Sequence, residues 1–362
     1  MKIFSAPEKV TLNTTNRCNL KCLYCGVSST KNAPGDLSLE EWKTLVDELA
    51  QIKVFNLLIS GGEPFIRADF FALLQHILQY PFRVSINTNA TLIDEKVVAL
   101  LSGNRRLENI QISLDGADSS THDYIRGQGS FKKILKGIGL LQKFHIPFSF
   151  YVVVCRNNRD HIKDIVALAQ EVRASQITFS TLLPQGSAIK NFQALDLTFS
   201  EQKKVEAQLR QLKKSHPRLV GGSLIQTIQW MDNLSQLPDA ETLDKKVNKI
   251  SSCGGGVSEC AVRPEGWVIP CDRMWDYKVG NIKEASFTSI WQEAEGFLNL
   301  RQRYSRRMDS FEECKNCAYI DVCKGGCPAI PYNLGKGFDG WDPLSCYKVF
   351  SGQKKSALIE PC

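Results

Sequence analysis

Three cysteines stand close together near the start of the chain, within the stretch TTNRCNLKCLYCGVS at residues 14–28. They are Cys18, Cys22 and Cys25, in the spacing C-x3-C-x2-C. A structural zinc ion takes four protein ligands, and a fully ligated four-iron cluster takes four thiolates. Three thiolates on a cluster leave one iron open, just as catalytic metal sites keep a position for another molecule. The spacing therefore indicates an open iron–sulfur cluster, and the alternative is a zinc site completed by a distant residue.

A second group of eight cysteines lies between residues 253 and 346. The group consists of Cys253, Cys260, Cys271, Cys314, Cys317, Cys323, Cys327 and Cys346. Eight thiolates suffice for two fully ligated clusters, and two zinc sites are the alternative. The region leaves little room for a conventional core, and small domains of this kind are stabilised by metal. The chain has 13 cysteines in all and no secretory features, which favours metal binding over disulfides.

The composition is that of a globular protein, with 362 residues of which 43% are hydrophobic and 23% charged. The length indicates two domains, or one large domain with an appendage. No apolar run approaches the ~20 residues of a membrane span, and the N-terminus lacks the apolar segment of a secretory signal. The net charge of +7 is dispersed, and the densest basic run, residues 301–308, is typical of a solvated helix end. We therefore expect a cytoplasmic protein that binds neither membranes nor nucleic acid.

Short β-branched runs alternate with helical patterns from residue 9 to about residue 216. The predicted strands are Lys9–Asn13, Asn56–Ser60, Arg83–Asn87, Asn109–Ser113, Ser149–Val154 and Gln176–Ser180. The predicted helices are Ser38–Ile52, Ala68–Gln79, Asp94–Leu101, Ser130–His145, Arg159–Val172 and Ser200–His216. Ser38 and Glu41 form a capping-box pattern at the first helix, in which each side chain accepts from the other's backbone. Such units predict parallel strands joined by right-handed crossovers, in a partial barrel or an open sheet.

Polar motifs follow the predicted strands at their C-terminal ends. The cysteine run follows the first strand, and SGGEP at 60–64 follows the second. NTN at 87–89 follows the third strand, and SLDG at 113–116 follows the fourth. Both parallel architectures bind their ligands at this end of the strands. We therefore expect the motifs to meet at one site, in a barrel left open on one side for a large substrate.

The motifs together resemble the radical S-adenosylmethionine superfamily. The resemblance rests on C-x3-C-x2-C with Tyr24 before the last cysteine, on ISGGEP, on SLDG and on HDYIRG at 122–127. It implies an α/β fold, a partial (β/α)6 TIM-like barrel. It also implies a 4Fe–4S cluster on Cys18, Cys22 and Cys25, with the open iron chelated by the amino and carboxylate groups of S-adenosylmethionine.

The same resemblance implies residues that bind the cofactor. They are Tyr24, Ser60, Gly61, Gly62, Glu63, Asn87, Ser113 and Arg126. The two glycines let backbone approach a ligand closely, and Glu63 can accept from an ammonium group. The resemblance places Ser113 and Arg126 at the cofactor carboxylate, and Asn87 or Thr88 near the ribose. The alternative for Arg126 is a surface ion pair.

The later cysteines are similar to the SPASM domain, the appendage of radical enzymes that modify peptides and proteins. The similarity implies two auxiliary 4Fe–4S clusters, so that the chain holds three in all. The implied ligands of the first are Cys253, Cys260, Cys271 and Cys327, and those of the second are Cys314, Cys317, Cys323 and Cys346. The predicted domains are a barrel at 1–216, a linker with short helices at 217–252, a SPASM domain at 253–346 and a tail at 347–362.

Three residues outside these sets have chemistry of interest. Cys155 follows the fifth strand, where its thiol would be placed to give a hydrogen atom to a substrate radical; the alternative is a small buried side chain. Asp272 follows Cys271, and in sulfatase-maturating relatives the matching aspartate is a general base; the alternative is a capping or ion-pairing residue. Cys362 is the last residue, and we expect it to be mobile.

These features predict a radical enzyme that cleaves S-adenosylmethionine reductively and removes hydrogen from a C–H bond of a peptide or protein. The product would be a crosslink, an epimer or an oxidised side chain. The alternatives are a small-molecule or cofactor-precursor substrate, a non-catalytic iron–sulfur electron carrier and a zinc scaffold. The expected partners are a peptide or protein substrate and a low-potential donor of the flavodoxin or ferredoxin type. Because the first strand begins near residue 9, we also expect a separate peptide-recognition protein or a substrate without a leader.

Overall fold

A single sheet of mixed direction organises the chain in the computed structural model. The structure describes residues 4–29, 35–235, 250, 253–317, 320, 323, 325–338 and 340–346. The strands in this part are β1 Lys9–Asn13, β2 Asn56–Ser60, β3 Arg83–Thr88, β4 Leu107–Ser113, β5 Phe148–Val154, β6 Ile177–Thr181, β7 Val220–Gly221, β8 Glu259–Val262, β9 Trp267–Ile269 and β10 Gly280–Asn281. Their order is β10-β9-β8-β1-β2-β3-β4-β5-β6-β7, parallel from β8 to β7 and antiparallel among β8, β9 and β10.

The helices in the described part of the chain are α1 Leu39–Gln51, α2 Phe70–Ile77, α3 Glu95–Leu101, α4 Ser119–Arg126, α5 Ser130–Lys143, α6 Ile162–Glu171, α7 Ser187–Leu195, α8 Phe199–Ser215, α9 Ser223–Ser235, α10 Phe287–Glu293, α11 Glu295–Arg303 and α12 Ala329–Asn333. Most of them cover one face of this sheet, whereas α7 packs in a separate apolar cluster and α12 on a small C-terminal core. The capping box at α1 is present, because Ser38 N donates to Glu41 Oε2 at 2.7 Å and Glu41 N donates to Ser38 Oγ at 3.3 Å. This predicted helix start is confirmed.

The two faces of the sheet differ in polarity because side chains alternate along each strand. The helix-covered face carries fully buried apolar residues such as Leu12, Ile59 and Ile86. The other face carries half-buried polar residues, among them Ser60 and Asn87 at the C-terminal ends of β2 and β3. The predicted partial barrel is confirmed, and its inner face is polar.

The sheet extends beyond the six predicted strands at both edges. At one edge β7 pairs with β6, and Leu224, Ile225 and Ile228 of α9 lie in the barrel core. At the other edge β8 pairs with β1 in parallel, so that Val10 is opposite Cys260. The boundaries predicted at residues 216 and 252 therefore do not coincide with an end of the sheet. The predicted tail at 347–362, with Cys362, lies outside the described residues.

The C-terminal region contributes apolar residues to the core beneath the sheet, to a smaller core of its own and to a third cluster of Ala261, Ile269 and Trp275. Val262, Phe287, Trp291 and others belong to the core beneath the sheet. A second, smaller core contains Met274 and Phe311, and several of the later cysteines pack against it. Within the described residues, no helix is both long enough and apolar enough to cross a membrane.

Candidate cluster and cofactor sites

The cysteine loop follows β1 and holds Cys18, Cys22 and Cys25, which we call the N-terminal site. Leu20 N lies 3.5 Å from Cys18 Sγ, and Ser29 N lies 3.4 Å from Cys25 Sγ, both as hydrogen-bond donors. Burial, followed by smaller effects of Glu63, Cys22 and Cys25, raises the pKa of Cys18 to about 12. The three thiols of this site therefore lie near one another and near Glu63. Their negatively charged thiolate forms would repel each other, and a bound iron cation would stabilise them.

The glycine motif after β2 packs directly on the cysteine loop. Gly62 N donates to Thr15 O at 2.7 Å, and Glu63 N donates to Arg17 O at 2.9 Å. A Cβ at Gly61 would overlap Thr15 O, and one at Gly62 would overlap Arg17 O. The glycines therefore permit a close approach, as predicted, but the neighbour that they approach in the structure is the backbone of the cysteine loop.

Glu63 connects the β2 and β3 ends. Its carboxylate accepts from Thr88 Oγ1 at 2.8 Å, from Asn89 N at 2.8 Å and from Phe65 N at 3.4 Å. Burial raises the pKa of Glu63 from 4.5 to about 7. Asn89 Nδ2 in turn lies 3.8 Å from Cys18 Sγ. The carboxylate has about four lone-pair directions, so one remains for the ammonium contact that the sequence predicts.

Arg126 lies in a buried polar network beside the N-terminal site. Its Nε donates to Asp115 Oδ2 at 2.5 Å, its Nη2 donates to Tyr24 OH at 2.8 Å, and its Nη1 lies 3.8 Å from Cys22 Sγ. Tyr24 OH also donates to Asp115, and burial raises the pKa of Tyr24, so its proton is retained. Arg126 is 6% exposed, which excludes a surface ion pair. The predicted contact with a cofactor carboxylate would have to use its remaining donors.

Asp115 is the residue of this network that the sequence reasoning missed. It is fully buried, and its Oδ1 accepts from Val153 N at 3.2 Å. The signal was present in SLDG, since an acidic residue two positions after the end of a buried strand needs a positive partner. The motif predicted Arg126, eleven residues later, as a site residue, but it did not predict Asp115 as its ion-pair partner.

The inner-face polar residues lie at the ends of neighbouring strands. Asn87 Nδ2 donates to Ser60 Oγ at 3.5 Å, while the buried Asn87 Oδ1 has no hydrogen-bond partner among the described residues. Ser113 ends β4, the next strand. The Asn87 Oδ1 atom can therefore accept a hydrogen bond from a ligand that carries hydroxyl groups, such as a ribose.

The start of α7 braces the cysteine loop from the other side, and the sequence reasoning missed this helix. Ser187 N donates to Cys25 O at 2.9 Å, and Asn191 Nδ2 donates to Leu23 O at 2.7 Å. Gln185 Nε2 donates to Asp272 O at 2.6 Å, so the same segment also contacts the C-terminal region. The PQGS turn at 184–187 was the available helix-start signal.

Four later cysteines lie near one another, namely Cys314, Cys317, Cys323 and Cys346, which we call the second auxiliary site. Burial, followed by Cys323, Cys317 and Cys346, raises the pKa of Cys314 to about 12. Burial, with smaller effects of Cys346 and Cys317, also raises the pKa of Cys323. The structure thus brings together the four residues that the sequence assigned to one cluster.

The other predicted set is brought together only in part. Cys253, Cys271 and Cys327, which we call the first auxiliary site, pack on the small C-terminal core. Burial, followed by Cys327 and Cys253, raises the pKa of Cys271. Cys260 instead lies in β8 with its side chain in the core beneath the sheet. The Cys260 side chain thus packs in a different core from the other three, although Asp272, the neighbour of Cys271, is close enough to raise the pKa of Cys260. Its place among the ligands stays a prediction.

A buried hydroxyl lies beside the first auxiliary site. Tyr304 is 7% exposed, and its OH forms no well-aligned hydrogen bond among the described residues, although the Cys253 backbone is close enough to lower its pKa. Burial, followed by the charge of Cys253, raises the pKa of Tyr304, which places the hydroxyl near that thiol. Arg273 Nη1 lies 4.0 Å from Cys327 Sγ. Both groups are donors, and donors of this kind suit the sulfur atoms of a cluster.

Asp272 and Cys155 occupy different environments. Asp272 Oδ1 accepts from Asn13 Nδ2 at 2.8 Å at the end of β1, and burial raises the pKa of Asp272. Cys155 is fully buried in an apolar cluster with Ile125 and Phe192, and burial raises its pKa to about 11. Asp272 thus lies between the barrel and the first auxiliary site, whereas Cys155 is packed as a small apolar residue.

No three His, Cys, Asp or Glu side chains of the described residues form a group that could hold a single metal ion. The thiolates of a four-iron cube each bind a separate iron, whereas the ligands of zinc all bind one ion.

The fold and these sites define a class of protein: a partial barrel whose first loop carries an open three-cysteine site, joined to a cysteine-rich extension. The sequence pattern of the radical SAM superfamily matches residues 12–169, and that of the SPASM iron–sulfur cluster-binding domain matches residues 253–318. The chain is 32% identical to the mycofactocin maturase MftC of Mycolicibacterium smegmatis over 342 residues, which are 93% of this chain and 82% of that protein. This chain belongs to the radical SAM superfamily and is a radical SAM enzyme with an iron–sulfur cluster-binding SPASM domain.

Two further relatives bear on the fold and on the alternatives. The AdoMet-dependent heme synthase of Methanosarcina barkeri is 29% identical over 360 residues, covering 95% of this chain and 97% of that protein. The crystal structure of Streptococcus suis SuiB bound to precursor peptide SuiA superposes with a TM-score of 0.73 at 17% identity, covering 95% of this chain and 76% of that one. The second comparison confirms the TIM-like partial barrel with its C-terminal extension.

Proposed function

We propose that this enzyme cleaves S-adenosylmethionine reductively at the N-terminal site and modifies a peptide or protein substrate. The observation that carries the proposal is a three-thiolate loop at the C-terminal end of β1, held against Glu63 and Arg126 by hydrogen bonds. Bound together, the cluster and S-adenosylmethionine supply a 5′-deoxyadenosyl radical that removes a hydrogen atom from a C–H bond. The protein's own part is to orient the cofactor and to exclude water.

The side chains around the N-terminal site suit the parts of this cofactor. Cys18, Cys22 and Cys25 would ligate three irons. The unpaired Asn87 Oδ1 would accept from the ribose. Glu63 and Arg126 would face the ammonium and carboxylate groups, each through hydrogen-bonding capacity that its partners within the chain leave unused. Tyr24, Ser60, Gly61, Gly62 and Ser113 would form the remaining wall of this pocket.

A peptide substrate is favoured by the relatives. MftC is named a maturase, a PqqA peptide cyclase is 28% identical over 94% of this chain, and SuiB was solved with a precursor peptide. The polar inner face of a barrel that does not close would admit an extended chain. A crosslink, an epimer or an oxidised side chain would each begin with the same hydrogen abstraction. Such chemistry needs a low-potential electron donor of the flavodoxin or ferredoxin type. A peptide with a leader would also need a separate recognition protein. The reduced cysteines indicate a cytoplasmic, reducing compartment.

The extension would hold two further clusters, at the first and second auxiliary sites, giving three 4Fe–4S clusters in all. Asp272 lies beside the first of them and next to β1, where it would take the proton while that cluster accepts the electron from a substrate radical. In the Asp272→Asn variant we expect 5′-deoxyadenosine to form normally and the oxidised product to fall by at least about tenfold. An unimpaired product rate would exclude Asp272 as the base.

A second candidate substrate is a small cofactor precursor. It is favoured by the heme synthase of M. barkeri, which this chain matches over 97% of that protein's length. The two candidates differ in where the abstracted hydrogen originates. The test is to supply a deuterated candidate peptide, or a deuterated porphyrin precursor, and to follow deuterium into 5′-deoxyadenosine by mass spectrometry.

The peptide proposal predicts deuterium transfer from the peptide alone. Transfer from the porphyrin precursor alone would contradict it. Where a short reading frame lies beside the gene, its product is the peptide to be labelled. The Cys22→Ala variant is the matched control, since it loses one predicted ligand of the N-terminal site.

A further inference from the structure

Asp115 lies between β4 and α4, and it is held by its backbone as well as by its carboxylate. Its N–H donates to His122 Nδ1 at 3.2 Å, and its carbonyl oxygen accepts from Asn158 Nδ2 at 3.1 Å. Asp115, His122 and Asn158 are all fully buried, so water does not compete for these hydrogen bonds. The cofactor contacts described above involve neither His122 nor Asn158 directly.

The His122 ring is neutral and has one defined tautomer. Because Nδ1 accepts from the Asp115 N–H, the ring proton lies on Nε2. Burial, followed by the charge of Arg126, lowers the pKa of His122 to about 4, so the ring stays neutral at physiological pH. Nε2 is buried and has no hydrogen-bond partner among the described residues. An apolar side chain would fill this space without burying such an N–H group, which indicates that the position requires the Nδ1 acceptor.

The first turn of α4 lies directly against the Asp115 backbone. Asp118 caps the helix, because its carboxylate accepts from the backbone of this turn at 2.8 Å. A Cβ at Gly116 would lie 2.7 Å from His122 N, so the glycine of SLDG lets the turn approach the end of β4. His122 and Arg126 are one turn apart on one face of α4, and both contact Asp115.

Asn158 connects the end of β4 to the end of β5. Its Nδ2 donates to Asp115 O and also, at 2.9 Å, to Val153 O. Its Oδ1 accepts from Cys155 N at 2.9 Å. Val153 N donates in turn to Asp115 Oδ1 at 3.2 Å. The amide of Asn158 thus uses both donors and its acceptor, and it fixes the position of Asp115 relative to β5.

The Asp115 carboxylate passes this order on to Arg126. Its Oδ2 accepts from Arg126 Nε, and Arg126 Nη1 lies 3.8 Å from Cys22 Sγ. The guanidinium is planar and rigid, so a bond that fixes Nε also fixes the direction of the other N–H groups. A shift of the Asp115 backbone would therefore turn the Arg126 donors away from the N-terminal site.

We propose that His122 and Asn158 are positioning residues for cofactor binding: they fix the backbone of Asp115, whose carboxylate orients Arg126 towards the carboxylate of S-adenosylmethionine. Both residues act through Asp115 and not by touching the cofactor. This inference rests on the proposed function, because it requires S-adenosylmethionine to bind at the N-terminal site.

The first test compares two substitutions of His122 that differ in the acceptor alone. Asn carries an oxygen near the position of the imidazole Nδ1, whereas Leu has the same branched shape without an acceptor. Equilibrium binding to the reconstituted protein measures the Kd for S-adenosylmethionine. We expect the Kd to rise about tenfold in His122→Leu and by less than about threefold in His122→Asn. A wild-type Kd in His122→Leu, or equal losses in the two variants, would overturn the proposal.

Asp123→Ala is the matched structural control on the same helix. The Asp123 carboxylate accepts from Gly129 N at 2.7 Å and from Phe131 N at 2.8 Å, so it joins α4 to the start of α5. We expect this variant to unfold at a lower temperature than the wild type but to keep its Kd within about threefold. If Asp123→Ala weakened binding as much as His122→Leu, any damage to α4 would suffice, and the proposal would be wrong.

The second test asks whether the two residues act through Arg126. We expect His122→Leu and Asn158→Leu each to raise the Kd about tenfold in the wild-type background, but by less than about twofold when combined with Arg126→Gln. The second loss is small because the guanidinium that both residues orient is then absent. Losses of equal size in the two backgrounds would overturn the proposal. Two positions are compared, so misfolding of one variant leaves the test intact.

Failure of this inference is distinguishable from failure of the proposed function. Wild-type protein that neither binds nor cleaves S-adenosylmethionine would contradict the proposed function. A wild-type protein that does both, beside a His122→Leu variant with the same Kd, would contradict this inference alone.

Discussion

The N-terminal site and the first auxiliary site each bring three cysteines together, yet their surroundings differ. Beside the first lie the buried Glu63 and the network of Asp115, Arg126 and the partly buried Tyr24, which are hydrogen-bonded to one another or to the loops. Beside the second lie an apolar core and the Tyr304 hydroxyl, which forms no well-aligned hydrogen bond among the described residues. The number of thiolates alone therefore does not define a cofactor site; the ordered polar groups around the open position do.

The largest effect should separate the roles of the two sites in cofactor cleavage. Cys22→Ala removes a predicted ligand of the open iron, and we expect 5′-deoxyadenosine formation to fall below detection. Cys253→Ala changes the first auxiliary site, and we expect it to cleave the cofactor within about tenfold of the wild type but to yield no modified peptide. The measurement is product quantification with dithionite as reductant. Cys155→Ala is the control for loss of a thiol, and equal losses in Cys22→Ala and Cys253→Ala would end the distinction.

The next effect concerns how much the polar groups beside each site contribute to the free energy of unfolding. Asp115→Ala leaves the buried Arg126 charge without its carboxylate, which should lower the free energy of unfolding by about 3–5 kcal/mol. Tyr304→Phe removes a hydroxyl that forms no well-aligned hydrogen bond among the described residues and should change that free energy by less than about 1 kcal/mol. Denaturant unfolding of the two metal-free variants checks both values. If both variants lost the same stability, the two surroundings would not differ as described.

A pH effect belongs to the N-terminal site. The pKa of Glu63 rises from 4.5 in the unfolded chain to about 7 in the folded protein, because of burial. As pH rises across this interval the unfolded chain loses its proton first, so stability should decline, by up to about 3 kcal/mol. Unfolding measured from pH 4.5 to 7 should show a flatter profile for Glu63→Gln. Glu41→Gln is the control, because the pKa of Glu41 is lowered and its effect falls below this interval.

The smallest effect tests the inner face. Asn87→Ala removes the unpaired acceptor at the end of β3, and we expect S-adenosylmethionine to bind about tenfold more weakly. Asn109→Ala, on β4 and further from the C-terminal strand ends, should leave the affinity unchanged. Equilibrium binding to the reconstituted protein measures both. Equal affinities of the two variants would remove Asn87 from the cofactor pocket.

The fold was predictable wherever local patterns were strong. The β1 and β2 bounds agree with prediction, and the α1 start was found from Ser38 and Glu41, because strand alternation and helix capping are local. The β7 strand, only two residues long, carries no periodic signal, and its place depends on pairing with β6.

The sequence predicted which residue types form the candidate sites, but not the direction in which each side chain points. The spacing of the later cysteines marked eight residues, whereas only the pairing of β8 with β1 shows that Cys260 faces the helix-covered core. Likewise, local motifs contain Arg126 and Asp115, but only the folded chain shows that the two side chains pair with each other. Local sequence encodes the available chemistry, and tertiary contacts decide which groups meet.

The most direct test of the central claim is whether S-adenosylmethionine binds to the iron at the N-terminal site. The measurement is electron–nuclear double resonance of the reduced protein with cofactor labelled with ¹⁵N at its amino group and ¹⁷O at its carboxylate. We expect hyperfine coupling to both labels in the wild type and in Cys253→Ala, and no coupling in Cys22→Ala. An absence of coupling in fully reconstituted wild-type protein, or its persistence in Cys22→Ala, would contradict the account.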